Sequence, residues 1–264
     1  MFGYHFNYLR IDVTTQEAQS VGLDEGVLRD YLGGSGLGVK LLLEEGTAEA
    51  DPLSPAAAIA FVFSPLVGSP LTTSAKFAVV SKSPLTERIN DSLASSGFAI
   101  SGKKSGHDAI VLVGRAAEPS IVIVDDDRVR IEPAGQLWGL SNGEAQLRLR
   151  QRLGADFQVA TIGPAGERQV RFATISHDGR HAGRGGSGTV LGSKNIKAVA
   201  VRGSQPVEWA DPKALTRLAK ELSEKSFGPA TRINQKSNSS NHVKLRHSDS
   251  PWGSIHCVHR CRNL

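Results

Sequence analysis

His177-Asp178-Gly179-Arg180-His181-Ala182-Gly183-Arg184-Gly185-Gly186-Ser187-Gly188 runs on into Thr189-Val190-Leu191-Gly192-Ser193-Lys194-Asn195. Five glycines and two arginines fall between Gly179 and Gly188. A glycine in a helix or strand interior costs roughly 0.5–1 kcal/mol relative to alanine, so the stretch reads as a loop. A glycine-rich loop can turn successive backbone N–H groups inward and form an anion-binding nest. Arg180 and Arg184 would add fork-shaped, charge-assisted donors to an oxyanion held there. The residues by themselves allow three readings: a seat for a phosphate-bearing ligand, a solvated Gly/Arg loop, or an RGG-like element touching RNA through charge.

Working outward, the chain of 264 residues suits one large domain or two small ones. It contains no apolar run of membrane-spanning length, and Met1-Phe2-Gly3-Tyr4-His5 does not resemble a secretory leader. The expectation is a cytoplasmic protein without a membrane partner. Two cysteines, Cys257 and Cys261, are too few for a disulfide scaffold. The formal charge of +5 has one source. Beyond Phe227, Arg232, Lys236, Lys244, Arg246, Arg260 and Arg262 stand against Asp249 alone, and the rest of the chain balances. The basic pI therefore gives no reason to expect nucleic-acid binding by the body of the protein.

Residues 6–14 alternate as a strand and Thr14-Thr15-Gln16 reads as a turn. Asp24 caps a predicted helix over 25–32. Residues 31–38 read as a second glycine-rich turn, leading into the apolar run Val39–Leu43. Strands are predicted at 58–63, 76–81 and 109–113, with a polar, small-residue segment at 90–97. Residues 121–124 and 129–131 form a hairpin around Asp125-Asp126-Asp127, which reads as a solvated turn in preference to a metal site. A helix over 143–153 capped by Ser141 or Asn142 comes next, then a strand at 157–162 whose expected partner is 170–175. A strand at 198–201 and a helix opened by Asp211-Pro212 follow. Strands and helices in no regular βαβ rhythm predict an α+β body. Residues 227–264 form a low-complexity basic tail, expected to be disordered. In it, Cys257, His259 and Cys261 with His242 or His247 could make a small zinc site, although no surrounding fold is evident.

Taken in order, several stretches form a series. They are Tyr31-Leu32-Gly33-Gly34, Asp51-Pro52-Leu53-Ser54-Pro55, Ser64-Pro65-Leu66-Val67-Gly68 and Lys82-Ser83-Pro84-Leu85-Thr86. Gly106-His107-Asp108-Ala109-Ile110, Ile162-Gly163-Pro164-Ala165-Gly166-Glu167, Ala182-Gly183-Arg184-Gly185-Gly186 and Gly192-Ser193-Lys194-Asn195-Ile196-Lys197-Ala198 complete it. Over about residues 3–222 the chain resembles the N-terminal domain of the tungsten-containing aldehyde:ferredoxin oxidoreductases.

The resemblance implies a two-sheet α+β base with internal pseudo-symmetry, divided here as a cofactor-platform domain (1–208), a linking helix (209–226) and the tail (227–264). It implies a tungsten or molybdenum bis-pterin cofactor whose phosphates are joined by Mg, an aldehyde substrate, and ferredoxin as acceptor through a [4Fe-4S] cluster. It points to Lys76, Ser95, Arg180, Ala182, Gly183, Arg184 and Gly185 as cofactor-holding positions and to no catalytic or metal-ligating side chain. The family's later helical domains carry the cluster cysteines, so a truncated or split copy is expected, with a homodimer or a partner subunit covering the exposed face. Five positions depart from the family pattern. Lys76 and Ser35 stand for arginines, Leu93 and Ser95 interrupt a Ser-Asn-Ser-Gly-Gly run, and His181 replaces a small residue. A non-catalytic binding module that keeps the phosphate loop is the alternative.

Overall fold

The computed structural model describes residues 1–226. The first half of the chain supplies β1 (Asn7–Asp12), β2 (Glu17–Gly22), β3 (Ile59–Phe63), β4 (Lys76–Lys82), β5 (Ile89–Ser95) and β6 (Ala109–Val113). The second supplies β7 (Ser120–Asp125), β8 (Arg128–Pro133), β9 (Gln158–Thr161), β10 (Ile175–His177), β11 (Arg180–Ala182) and β12 (Ile196–Arg202). Helices are α1 (Glu25–Tyr31), α2 (Gly34–Glu44), α3 (Gly97–Lys104), α4 (Asn142–Leu153), α5 (Pro164–Glu167), α6 (Ser187–Ser193) and α7 (Pro212–Ser226).

The strands make two six-stranded sheets, β2-β1-β6-β3-β4-β5 and β8-β7-β12-β9-β10-β11. Adding six to each strand number turns the first order into the second. The pairing agrees as well. β1 and β6 are parallel, as are β7 and β12, and every other neighbour is antiparallel. The expected α+β base with internal pseudo-symmetry is what the chain forms.

Period-2 alternation explains the layers. Ile59, Phe61 and Phe63 of β3, Phe77 and Val79 of β4, Ile110 and Leu112 of β6, and Val199 and Val201 of β12 point into the core between the sheets. Their alternates Ala60, Val62, Ala78, Val80, Ala109 and Val111 point outward, to be covered by α1 and α2. On the second sheet Ile121, Ile123, Val159, Ala198 and Ala200 pack with Leu149 of α4. Helices α3 and α6 are inserted between the sheets, and each contacts the opposite one: α3 packs on β9 and β12, α6 on β3 and β4.

Several local expectations change. The glycines at 33–38 do not make an extended turn. After Leu32 and Gly33 the chain enters α2, because Gly38 lets the helix approach the Val80 and Val62 side chains more closely than any Cβ permits. The polar segment at 90–97 holds most of edge strand β5, whose apolar residues are Ile89, the exposed Leu93 and the inward Ala94, and Ser96 follows as N-cap of α3. The partner of β9 is β10, not 170–175, with Ser176 opposite Thr161. Asp125 is held by Arg202 through two hydrogen bonds of 2.7 and 2.5 Å, and Asp126 accepts from Ser204, so the acidic turn is engaged in structural contacts. The predicted caps Asp24 and Ser141 are in place, the latter completing a capping box with Glu144. The expected disordered tail and the zinc site of Cys257, His259 and Cys261 lie outside the described residues. No described helix is long and apolar enough to cross a membrane.

Candidate functional site at the seam of two edge strands

Strands β5 and β11, counterparts in the two halves, are both terminal strands of their sheets, and they lie against each other. The backbone N–H of Arg184 donates to Ser92 Oγ at 3.0 Å, tying the segment after β11 to β5. Gly185, at φ +69°, packs on the Asn90 side chain, which would have to move for a Cβ that this φ already disfavours. Arg184 and Gly185 are thus fixed against the first sheet by backbone contacts, while the Arg184 side chain is left exposed.

The glycine-rich stretch proves to be only partly a loop. Asp178 and Gly179, both at positive φ, form a two-residue turn that closes the β10–β11 hairpin. Ser187–Ser193 is a buried helix. A Cβ on Gly186, Gly188 or Gly192 would collide with the backbone of Arg171, Thr174 or Gly166 respectively. Those glycines serve close packing of α6 in place of ligand approach, and the Gly188 N–H donates to Ala173 O. Gly183 differs. Its Cβ position meets only His181 Cβ and Thr174 Cγ2, both at 3.9 Å, so its Cα faces open space.

The site candidates from the sequence separate by face. Lys76 and Ser95 are cross-strand partners on β4 and β5. They share the outward face with Leu93, since Phe77 and Ala94 between them point into the core. Ser95 lies three residues beyond Ser92, about 10 Å along the strand at the usual rise. On β11, Ala182 points into the inter-sheet core opposite Ile175, and Arg180 pairs with His177 on that same side. Ala182 is buried and offers a ligand only its backbone. Lys76, Arg180 and Arg184 are exposed. Among the described residues none of the three side chains has a carboxylate or hydrogen-bond partner. Of the three, Arg184 directly follows the open Cα of Gly183, and an unpaired guanidinium there suits an anionic, phosphate-bearing group.

Sequence reasoning missed two residues beneath this surface. Ser96 Oγ accepts from Phe98 N at 3.1 Å, capping α3, and is 2.8 Å from His177 Nδ1. His177 is fully buried, edge-on to Phe77 at 5.0 Å, and its Nε2 has no partner. Burial, with smaller contributions from His181 and Arg180, pushes its pKa down to about 4. His177 is therefore neutral at ordinary pH and joins the second sheet to the turn that carries Ser95. The Asp-Gly hairpin signal was present in the sequence and would have placed His177 and Arg180 opposite each other.

Several large apolar side chains are exposed as well. Leu32 (61% exposed, at φ +58°), Leu93 (61%) and Phe172 (69%) project into solvent. Ser35 Oγ donates to Asp91 Oδ2 at 2.6 Å, which ties the start of α2, just beyond Leu32, to β5.

Residues 8–203 match the aldehyde ferredoxin oxidoreductase N-terminal domain. The chain belongs to this family. A tungsten-containing aldehyde ferredoxin oxidoreductase of Pyrococcus furiosus is 38% identical over 223 residues, covering 84% of this chain and 37% of the relative. An aliphatic sulfonate oxidoreductase WOR-like subunit of the same organism is 33% identical over 249 residues, or 88% of this chain and 40% of the relative. Among solved structures, the active-site complex BamBC of benzoyl coenzyme A reductase with 1,5-dienoyl-CoA superposes with a TM-score of 0.82. That likeness has 31% identity and covers 84% of this chain and 34% of the other. The chain thus spans a little over a third of the length of these oxidoreductases (37% for the first). What it shares with them is the aldehyde ferredoxin oxidoreductase N-terminal base.

Proposed function

We propose that this chain is the platform on which the phosphate ends of a tungsten or molybdenum bis-pterin cofactor rest, in an oxidoreductase of the aldehyde:ferredoxin type. The observation that carries the reading is the open Cα of Gly183, followed directly by the exposed, unpaired Arg184, whose backbone N–H is fixed on Ser92 where β5 meets β11. Family membership and the tungsten named in the curated relatives support the choice of cofactor.

In this reading Arg180 and Arg184 hold phosphate oxygens by charge-assisted hydrogen bonds, and Lys76 adds a point charge from the outward face of the first sheet. A bridging Mg between the phosphates, expected from the family resemblance, would add its own positive charge. Ser95 contributes a hydroxyl, and Ala182, Gly183 and Gly185 contribute backbone groups, with the Cα of Gly183 open. The bound cofactor supplies the two-electron oxidation of an aldehyde to a carboxylic acid, with electrons leaving through a [4Fe-4S] cluster to ferredoxin. Substrate pocket and cluster belong to the part of the family's length that this chain does not span. The exposed Leu32, Leu93 and Phe172 are residues that this part would cover. Residues 1–208 act as the platform, and α7 leads away from it.

The test is to purify the chain from cells grown with tungstate or molybdate and to measure metal and pterin together. The expected result is both in a fixed ratio to protein. Protein with neither overturns the reading. Saturable ADP binding without metal or pterin, lost in Arg184→Ala, would instead support a binding module that keeps only the phosphate seat.

A further inference from the structure

His181, on β11 between Arg180 and Ala182, has no task in the cofactor reading. It lies on the outward face of the second sheet, opposite Ser176 in the ladder, while its neighbours Arg180 and Ala182 lie on the other face. Ser176 Oγ is 2.7 Å from His181 Nδ1, and Asn142 Nδ2, from the first turn of α4, donates to the same Ser176 oxygen at 2.6 Å. Ser176 is buried, and its hydroxyl has one hydrogen to give. With Asn142 donating to the oxygen, that hydrogen is free to go to His181 Nδ1, and a ring that accepts it there carries its proton on Nε2. The ring is exposed, and Nε2 has no hydrogen-bond partner among the described residues.

The open Cα of Gly183 supplies the link to the site. Its outward side is bounded by His181 Cβ and Thr174 Cγ2 alone, so a ligand that rests on Gly183 rests beside His181.

We propose that His181 is a binding residue for the anionic ligand of this site, donating a hydrogen bond from Nε2, and that Ser176 and Asn142 are positioning residues that hold its tautomer. The inference rests on the phosphate-seat reading and adds a donor on the face opposite Arg180. A ligand resting on the open side of Gly183 would then meet His181 on the outward face of β11, with Arg184 next in the chain.

The experiment uses the full chain, with inorganic pyrophosphate as probe. Nitrogen-15 spectra of the histidine rings report the tautomer without any ligand, and titration reports binding. The expected free-state result is a His181 Nε2–H tautomer that becomes a mixture in Ser176→Ala. Pyrophosphate should shift the His181 Nε2 signal saturably, and His181→Ala should weaken binding by about tenfold, the worth of one hydrogen bond. Ser176→Ala should weaken it by a smaller factor with the fold intact. An Nδ1–H tautomer in the wild type, or pyrophosphate binding that leaves His181 unmoved, overturns this inference while the arginine seat stands. Absence of any pyrophosphate binding overturns the seat itself, and this inference with it.

Discussion

The two sheets are built to one plan, yet their edge strands carry different chemistry. β5 presents Leu93, Ser95 and, from β4, Lys76; β11 presents Arg180 and His181 and is followed by Arg184. α3 begins at the half-buried Gly97 beside Ser96, whereas α6 begins under Arg171 and Thr174 and is sealed from solvent. Topology depends on which positions alternate apolar, and both halves satisfy that. Function depends on side chains at the sheet edge, where packing imposes little, so the halves are free to diverge there. One half has kept guanidinium groups and the other has an exposed leucine.

The largest expected effects come from buried pairs placed differently in the two halves. Lys103 pairs with Asp108, which also accepts from the backbone N–H groups of His5 and Phe6, and both side chains of the pair are buried. Lys103→Met should cost about 3–5 kcal/mol in a denaturant titration, because it strands a buried carboxylate. Lys197 pairs with Glu167, which keeps donors from Gly139 N and is slightly exposed. Lys197→Met should fall at or below the lower end of that range. Equal costs would mean the two halves are buttressed alike.

A smaller effect appears in acid. His177 is held neutral in the folded state, with a pKa of about 4 against 6.5 for the free side chain. Between those values the unfolded chain binds a proton that the folded chain does not, so stability is full above pH 6.5 and is lost as pH falls to 4. The loss from this group is about 3 kcal/mol. Thermal melts at pH 7 and 4.5 should show a larger drop for wild type than for His177→Gln. Parallel drops would remove His177 as the acid-sensitive link between the sheets.

Next in size is the effect on ligand affinity. Arg184→Ala should reduce pyrophosphate affinity by more than tenfold, as expected for a charged donor, and Lys76→Ala by a few-fold. The reverse order would place the principal seat on β5. The smallest effect is at an exposed leucine. Leu93→Asn should change stability by less than about 0.5 kcal/mol, and light scattering should show less self-association of the chain. Unchanged association would mean that Leu93 is not part of a self-association surface.

Much of the fold was legible in the sequence because the central strands, such as Ile59–Phe63 and Ala109–Val113, are continuous apolar runs between turn residues. What was missed shares one cause. β5 reads Ile-Asn-Asp-Ser-Leu-Ala-Ser, an edge strand whose inward contributions are only Ser92 and Ala94. α2 and α6 are rich in glycine because they press against backbone or valine side chains, and close packing leaves the same letters in a sequence as an open loop. For the site, Arg184 and Gly183 could be singled out from composition and resemblance. Ser92, Ser96 and His177 could not, since their roles depend on contacts between halves of the chain far apart in sequence.

The most direct measurement is the pterin content of the wild-type chain and of the Arg180→Ala/Arg184→Ala variant, each purified from tungstate-supplemented cells and read by fluorescence of the oxidised pterin. Circular dichroism should establish that the variant is folded. The account predicts pterin in the wild type and its loss from the folded variant. Pterin retained by the variant, or absent from both proteins, would contradict it.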